Sequence, residues 1–360
     1  MTTTTERPPE LDRVPLTSRP RSTLLRHLIW AVLGLVVLYL VASSISEFDD
    51  LQFAQICYTA IAAAGLTVLC GLSGQISLGH GALMAVGAYT TALLLNNQQW
   101  PIAVVLLGST VVTALVGLLV GVAAARLRGP YLAGATLALA LGLPALANYH
   151  GLSSLGGANG LTVNPAPPPL SLGEAFPLER WQAWIAGLCL VITLFLLSNL
   201  VTSRIGRDMR LIREDEDAAA LSGVRVARTQ VIAFSVSAAC AGLAGGLLAY
   251  VNSLAAPGAF PLSLSLSLLT AVVLGGLGSL AGAVYGAVIV TLLPTWSTNM
   301  AQSAHLPEAI YANIPLVLYG LVLFVVMVLF PGGLQAGLNR LGRAVSITIR
   351  RRPSSDTRAS

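Results

Sequence analysis

Residues 51–81 read Leu51-Gln-Phe-Ala-Gln-Ile-Cys-Tyr-Thr-Ala-Ile-Ala-Ala-Ala-Gly-Leu-Thr-Val-Leu-Cys70, then Gly71-Leu-Ser-Gly-Gln-Ile-Ser-Leu-Gly-His-Gly81. The first part is an uncharged apolar run, and about 20 such residues suffice to cross a bilayer as a helix. The second part is rich in Gly and Ser, so the helix is expected to break while the chain stays in apolar surroundings. Broken backbone at membrane depth is tolerated only where protein, not lipid, covers it. This pair of segments places the chain among polytopic membrane proteins.

The rest of the sequence has the same character. No Asp, Glu, Lys or Arg occurs in 51–125, 129–173, 181–203 or 229–307. Of the 360 residues, 55% are hydrophobic and only 10% charged, against about a quarter charged in a soluble domain. Mean hydropathy is +0.77. A large soluble enzyme is excluded. All 20 basic residues are Arg; without a lysine there is neither Schiff-base chemistry nor a phosphate-binding G-x-x-x-x-G-K-[ST] loop. The net charge of +5 is no nucleic-acid footprint, because the arginines sit at the chain ends and in two loops. Cys57, Cys70, Cys189 and Cys240 lie inside apolar runs without ligand spacing and read as small hydrophobes.

Residues 1–26, rich in Thr, Pro and Arg, read as a disordered cytoplasmic arm. A transmembrane domain is expected over 27–333, with an acidic turn at Glu47, Asp49 and Asp50, an external loop at 149–180 and a break at Pro144. Residues 204–228 form its one hydrophilic internal stretch, and 334–360 a basic tail. Arg clusters in the arm, at Arg126 and Arg128, in 204–228 and in the tail, whereas the loops at 46–50, 96–100, 149–180, 252–261 and 295–309 hold only Arg180. The positive-inside rule then puts both termini in the cytoplasm. It also requires the run 262–293, broken at Gly275, Gly276 and Gly278, to enter and leave on the outer side, as two short crossings or a re-entrant hairpin. The expected fold is an all-α polytopic bundle of about ten membrane-inserted segments, some short, broken or re-entrant.

Proton-coupled carriers usually place an acid or His relay in the bilayer; here His80 is the sole candidate, and no metal cluster or catalytic set of residues stands out. Gly74, Gln75, Ser77, Gly79 and His80, with Gly275, Gly276 and Gly278, suit a solute path lined by backbone and small polar groups. The same composition serves close helix packing, the commoner use. In 204–228, Arg210–Glu214 and Arg213–Asp217 have helical i,i+4 spacing. Asp217, Ala218 and Ala219 precede Gly223, which can end a helix. This stretch reads either as a solvated connector or as a docking helix for a soluble partner, and its small residues favour docking.

Several stretches resemble the branched-chain amino acid ABC-importer permeases of the LivH/LivM type. They are Gly71–Ala82, Arg126-Leu-Arg-Gly-Pro-Tyr-Leu-Ala133, Gly156-Gly-Ala-Asn-Gly-Leu161, Ser203–Gly223, Ala241-Gly-Leu-Ala-Gly-Gly246 and Val273-Leu-Gly-Gly-Leu-Gly-Ser279. The second and third are similar to the LivM-like subunit in particular, and Asn159 joins the candidate path through them. The resemblance implies an importer permease in a bacterial inner membrane, with a LivH-like second permease, two cytoplasmic ATPase subunits, an extracytoplasmic binding protein and surrounding lipid. It implies no cofactor and no catalysis in this chain. The loop motif E-A-A-x-x-x-G of such importers falls on Asp217, Ala218, Ala219 and Gly223, flanked by Arg213 and Glu214, with Asp in place of Glu. The implied solute is leucine, isoleucine or valine, or a related small amino acid or amide such as urea. The alternative is a stand-alone ion-coupled secondary transporter of a small neutral solute.

Overall fold

The computed structural model describes residues 23–44, 47–98, 100–127, 130–149, 155–165, 167–169, 173 and 176–303, with scattered positions between 317 and 337. Residues 1–22, most of the expected last span at 310–330 and nearly all of the tail lie outside the described residues. The described residues form a helical bundle: α1 (Thr23–Ser44), α2 (Glu47–Leu66), α3 (His80–Gln98), α4 (Ile102–Ala124), α5 (Pro130–Ala147) and α6 (Leu178–Thr202), then the short α7 (Arg204–Glu214) and α8 (Glu216–Leu221), then α9 (Val226–Asn252), α10 (Leu262–Gly275) and α11 (Leu280–Ser303). Among the described residues, six helical segments are long and apolar enough to cross a membrane, and shorter apolar helices accompany them, as the all-α polytopic expectation requires. Two-residue strands β1 (Leu161–Thr162) and β2 (Leu254–Ala255) pair antiparallel.

Helices α2 and α9 form the interior. Their apolar windows are 78% and 67% buried, against 28% for α4 and 22% for α6. Glycine makes this possible, because lipid offers no hydrophobic drive between helices and close backbone approach must supply the packing. A Cβ on Gly87 of α3 would stand 2.1 Å from the Gly242 carbonyl oxygen of α9, and one on Gly245 would stand 1.9 Å from that of Met84. On α4, a Cβ at Gly117 would meet the Cβ of Ala238 at 2.1 Å. The same device joins α10 to α11: Gly275 lies against the carbonyl of Gly282, and Gly286 against that of Ala271. Small residues four apart on both helices thus zip a hairpin whose turn, 276–279, has positive φ at Gly276 and Gly278. The hairpin returns the chain to the end of the bundle it came from.

Several expectations are corrected. Helix α1 begins at Thr23, so the last four residues expected in the arm are helical. Glu47, Asp49 and Asp50 are not a turn; they start α2, where carboxylates favour the positive helix end. Pro144 lies inside α5 without ending it. Helix α11 continues past Pro294 to Ser303, so 295–303 is helix rather than loop. The Ser297 and Thr298 hydroxyls donate to the Pro294 carbonyl at 2.8 and 3.0 Å.

At the end of the bundle opposite α7 and α8, buried Asp50 pairs with Arg180 of α6 at 3.3 Å. Beside this pair, Gln182 donates to the Tyr250 carbonyl at 2.9 Å. These contacts tie α2, α6 and α9 together.

Candidate functional site

Helix α2 does not stop cleanly. It passes into one wide π turn, Thr67–Leu72, and π turns recur at functional positions. An extended stretch through Gly79 follows, entered at Gly74 with φ +73°. Gln75 folds back on Ser73, its Nε2 donating to Oγ at 3.1 Å. Both ends of the stretch are braced by the hairpin. Gly71 is packed against the backbone of Gly278, and the Gly81 amide donates to the Ser265 hydroxyl of α10 at 2.9 Å. On the other flank the Leu78 amide donates to the Thr136 hydroxyl of α5 at 3.0 Å.

Most candidate path residues therefore come together, but they do not share one environment. His80 and Ser77 are sealed at 0% and 1% exposure. The His80 Nε2–H donates to the Ala62 carbonyl of α2 at 3.0 Å, while Nδ1 is a buried acceptor with no partner among the described residues. Gly275 is spent on the contact with Gly282, and Gly79 on the Thr136 carbonyl; both serve packing. Gly276 and Gly278 form the hairpin turn, and Gly74 is exposed. Asn159 is not brought to this cluster; it lies exposed just before β1, beyond the far end of α3, where Asn96 donates to the Thr162 carbonyl. Exposed Ile76 and Leu277 border the break. The sequence reading passed over both, since an apolar residue carries no local mark of being exposed.

The hydrophilic stretch is two helices, not one. Gly206 permits the sharp entry from α6, because a Cβ there would meet the Val201 carbonyl at 2.4 Å. Met209 and Ile212 bury the inner face of α7. Asp215 then interrupts it and caps α8, its Oδ1 accepting from the amides of Asp217 and Ala218 at 2.9 Å each. Helix α7 thus ends at Glu214, and the expected Arg213–Asp217 pairing along a single helix is not available. Helix α8 closes as a Schellman motif: the Val224 amide donates to the Ala219 carbonyl at 3.1 Å, and Gly223 takes φ +86° with open space around it.

On α8, Ala219 is buried against the chain itself, Ala218 is exposed, and Leu221 is 91% exposed. Sequence reading missed Leu221; its only signal was its place between the alanines and Gly223. Arg213 is exposed, yet it reaches back to the bundle. Its guanidinium donates to the Gly71 carbonyl.

A family model described as the permease component of the branched-chain amino acid transport system matches residues 52–331. The chain is 33% identical over 254 residues to the high-affinity branched-chain amino acid permease protein LivM of Salmonella typhimurium, covering 64% of this chain and 59% of that one. It is 27% identical over 285 residues to LivH of Escherichia coli, covering 72% of this chain and 88% of that protein. It is also 27% identical over 323 residues to the autoinducer 2 import permease LsrC of E. coli, covering 87% and 89%. No solved structure matches.

Proposed function

This chain belongs to the branched-chain amino acid transport permease family, and from that premise we propose that it is a membrane-spanning permease subunit of an ATP-driven importer. Its solute is a branched-chain amino acid, the cargo named for LivM and LivH. Its partners are a LivH-like permease, two ATPase subunits and an extracytoplasmic binding protein. The observation that carries the reading is α8: a capped helix that offers Ala218 and bare Leu221 from the hydrophilic loop of a chain with no Lys for an ATP site. Such a helix fits a cleft on a soluble partner. Asp217 and Glu214 would lie at its polar rim, while buried Ala219 anchors it and Gly223 ends it.

In this reading the ATPases close on nucleotide and pull α8, and α7 carries the motion to the break after α2. Solute passes along the face where Gly74, Ile76 and Leu277 are exposed, beside the sealed Ser77 and His80. LsrC bears the name of a different cargo, so the solute is tested by a panel: leucine, isoleucine, valine, urea and autoinducer 2.

The test replaces Leu221 by Asp or Ala218 by Arg. Both sites are exposed, so the chain still inserts; the ATPase subunits are expected to co-purify at least 10-fold less, and leucine uptake to fall with them. Normal co-purification and uptake in both variants would sink the docking role. Uptake by the isolated chain driven by an ion gradient would instead establish a secondary transporter.

A further inference from the structure

Arg213 occupies a position that docking does not explain. It is the last residue but one of α7, two before the Asp215 cap that starts α8. Yet its guanidinium donates to the carbonyl of Gly71, 142 residues away in sequence. Three glycines from two separate breaks lie beside it. A Cβ on Gly74 would meet the Arg213 Cγ at 3.2 Å, one on Gly278 would stand 3.7 Å from its Nη1, and one on Gly71 would meet the Gly278 amide nitrogen at 2.4 Å. Gly74 and Gly278 both have positive φ, where side-chain-bearing residues are strained.

The acceptor is as specific as the donor. Gly71 lies in the final π turn of α2, where carbonyls lack partners within the helix and carry the negative end of its dipole. A guanidinium there makes a charge-assisted hydrogen bond and complements the dipole. It does so from a different element, one that is joined directly to α8.

We propose that Arg213 is a positioning residue that couples the docking helix to the two broken segments, holding the end of α2 and the α10–α11 turn in register with α7. The proposal rests on the importer reading above. When α8 is drawn by a partner, α7 moves with it; the guanidinium then drags the Gly71 carbonyl, and Gly278 with it, and the stretch 73–79 swings. Arg213 touches neither solute nor, in this role, the ATPase.

The test uses the intact complex purified with its ATPase subunits, and a reporter thiol from Ile76→Cys in a Cys189→Ser background, with the labelling of the Cys189→Ser complex alone subtracted to remove the contribution of Cys57, Cys70, Cys240 and the partner subunits. Ile76 is 56% exposed in the break. With Arg213 present, trapping with ATP and vanadate is expected to change the maleimide labelling rate at position 76 by at least 5-fold. In Arg213→Gln the ATPases are expected to co-purify as before while that change disappears; Arg213→Lys, keeping the charge without the fork, is expected to restore part of it. A full nucleotide response in Arg213→Gln overturns the proposal. So does loss of the ATPases from that variant, which would make Arg213 a docking contact. Should Arg213→Gln fail to accumulate, Arg213→Lys alone decides: a response equal to that with Arg213 overturns the proposal. Failure of the ATPases to co-purify with the unaltered chain would sink the importer reading itself, a result distinct from either.

Discussion

Gly245 and Gly134 are both helical glycines, and the space around them gives them opposite tolerances. A Cβ on Gly245 would lie 1.9 Å from the Met84 carbonyl oxygen, while one on Gly134 has nothing within 4 Å. Gly245→Val should therefore prise α9 from α3, and the detergent-solubilised protein should lose its monodisperse elution or unfold well below the parent. Gly134→Ala should leave the melting temperature level or raise it, because Ala in a helix is favoured by roughly 0.5–1 kcal/mol. Equal melting of both variants would mean that the α3–α9 backbone contact is not made. A second residue-scale asymmetry lies in the Asp50–Arg180 pair, whose side chains are 0% and 27% exposed. Arg180→Ala leaves a carboxylate in the interior, whereas Asp50→Ala leaves a guanidinium that reaches water. Breaking a buried pair costs about 3–5 kcal/mol, so Arg180→Ala should lower the melting temperature more than Asp50→Ala does. The reverse order would mean that Asp50 is held mainly by its other neighbours.

At the scale of the element, α8 depends on its two ends. Asp215→Ala removes the acceptor for two amides and should cost the helix about 1 kcal/mol, so ATPase co-purification should weaken without vanishing. Gly223→Val forces a β-branched side chain to φ +86°, an outlier conformation for such a residue. Because the surroundings are open, the penalty comes from backbone strain and not from a clash. Uptake should fall sharply while membrane insertion stays intact, and undiminished uptake would show that the turn is dispensable. The glycine stop was legible in the sequence, since a helix that must reverse needs a residue free to take positive φ. So was the break after α2, because glycine and serine interrupt an uncharged run there. The bond from Arg213 to Gly71 was not legible, since nothing local announces a partner 142 residues away. Nor was the passage of α5 through Pro144 or of α11 through Pro294, where context overrides a helix breaker. The burial of Gly275 and Gly79 against backbone could not be told from a solute path by composition, because the same small residues serve both.

Over the whole molecule, the arginines and the contacts divide the bundle into two unlike ends: α7, α8 and the glycine-lined break at one, the Asp50–Arg180 pair and the β1–β2 ladder at the other. From the charge pattern we propose that the first end faces the cytoplasm. Impermeant maleimide applied from outside should modify a cysteine placed at Asp49 or Pro167 but not one at Asp215; labelling at 215 would reverse the orientation. The α10–α11 hairpin, finally, constrains how the protein is made. Fourteen residues give α10 a length of about 21 Å, and only with the preceding turn at Pro257–Ala259 does the segment Pro257–Gly275 reach 19 residues, barely the ~30 Å hydrocarbon core. A machinery that releases segments sideways into lipid is expected to retain so marginal a segment during translation. It must wait until α11 has been synthesised and Gly282 and Gly286 can close on Gly275 and Ala271. Nascent chains arrested between the two helices should accordingly stay in contact with the insertion apparatus and be cleared by membrane proteases, and those arrested after Ser303 should be released.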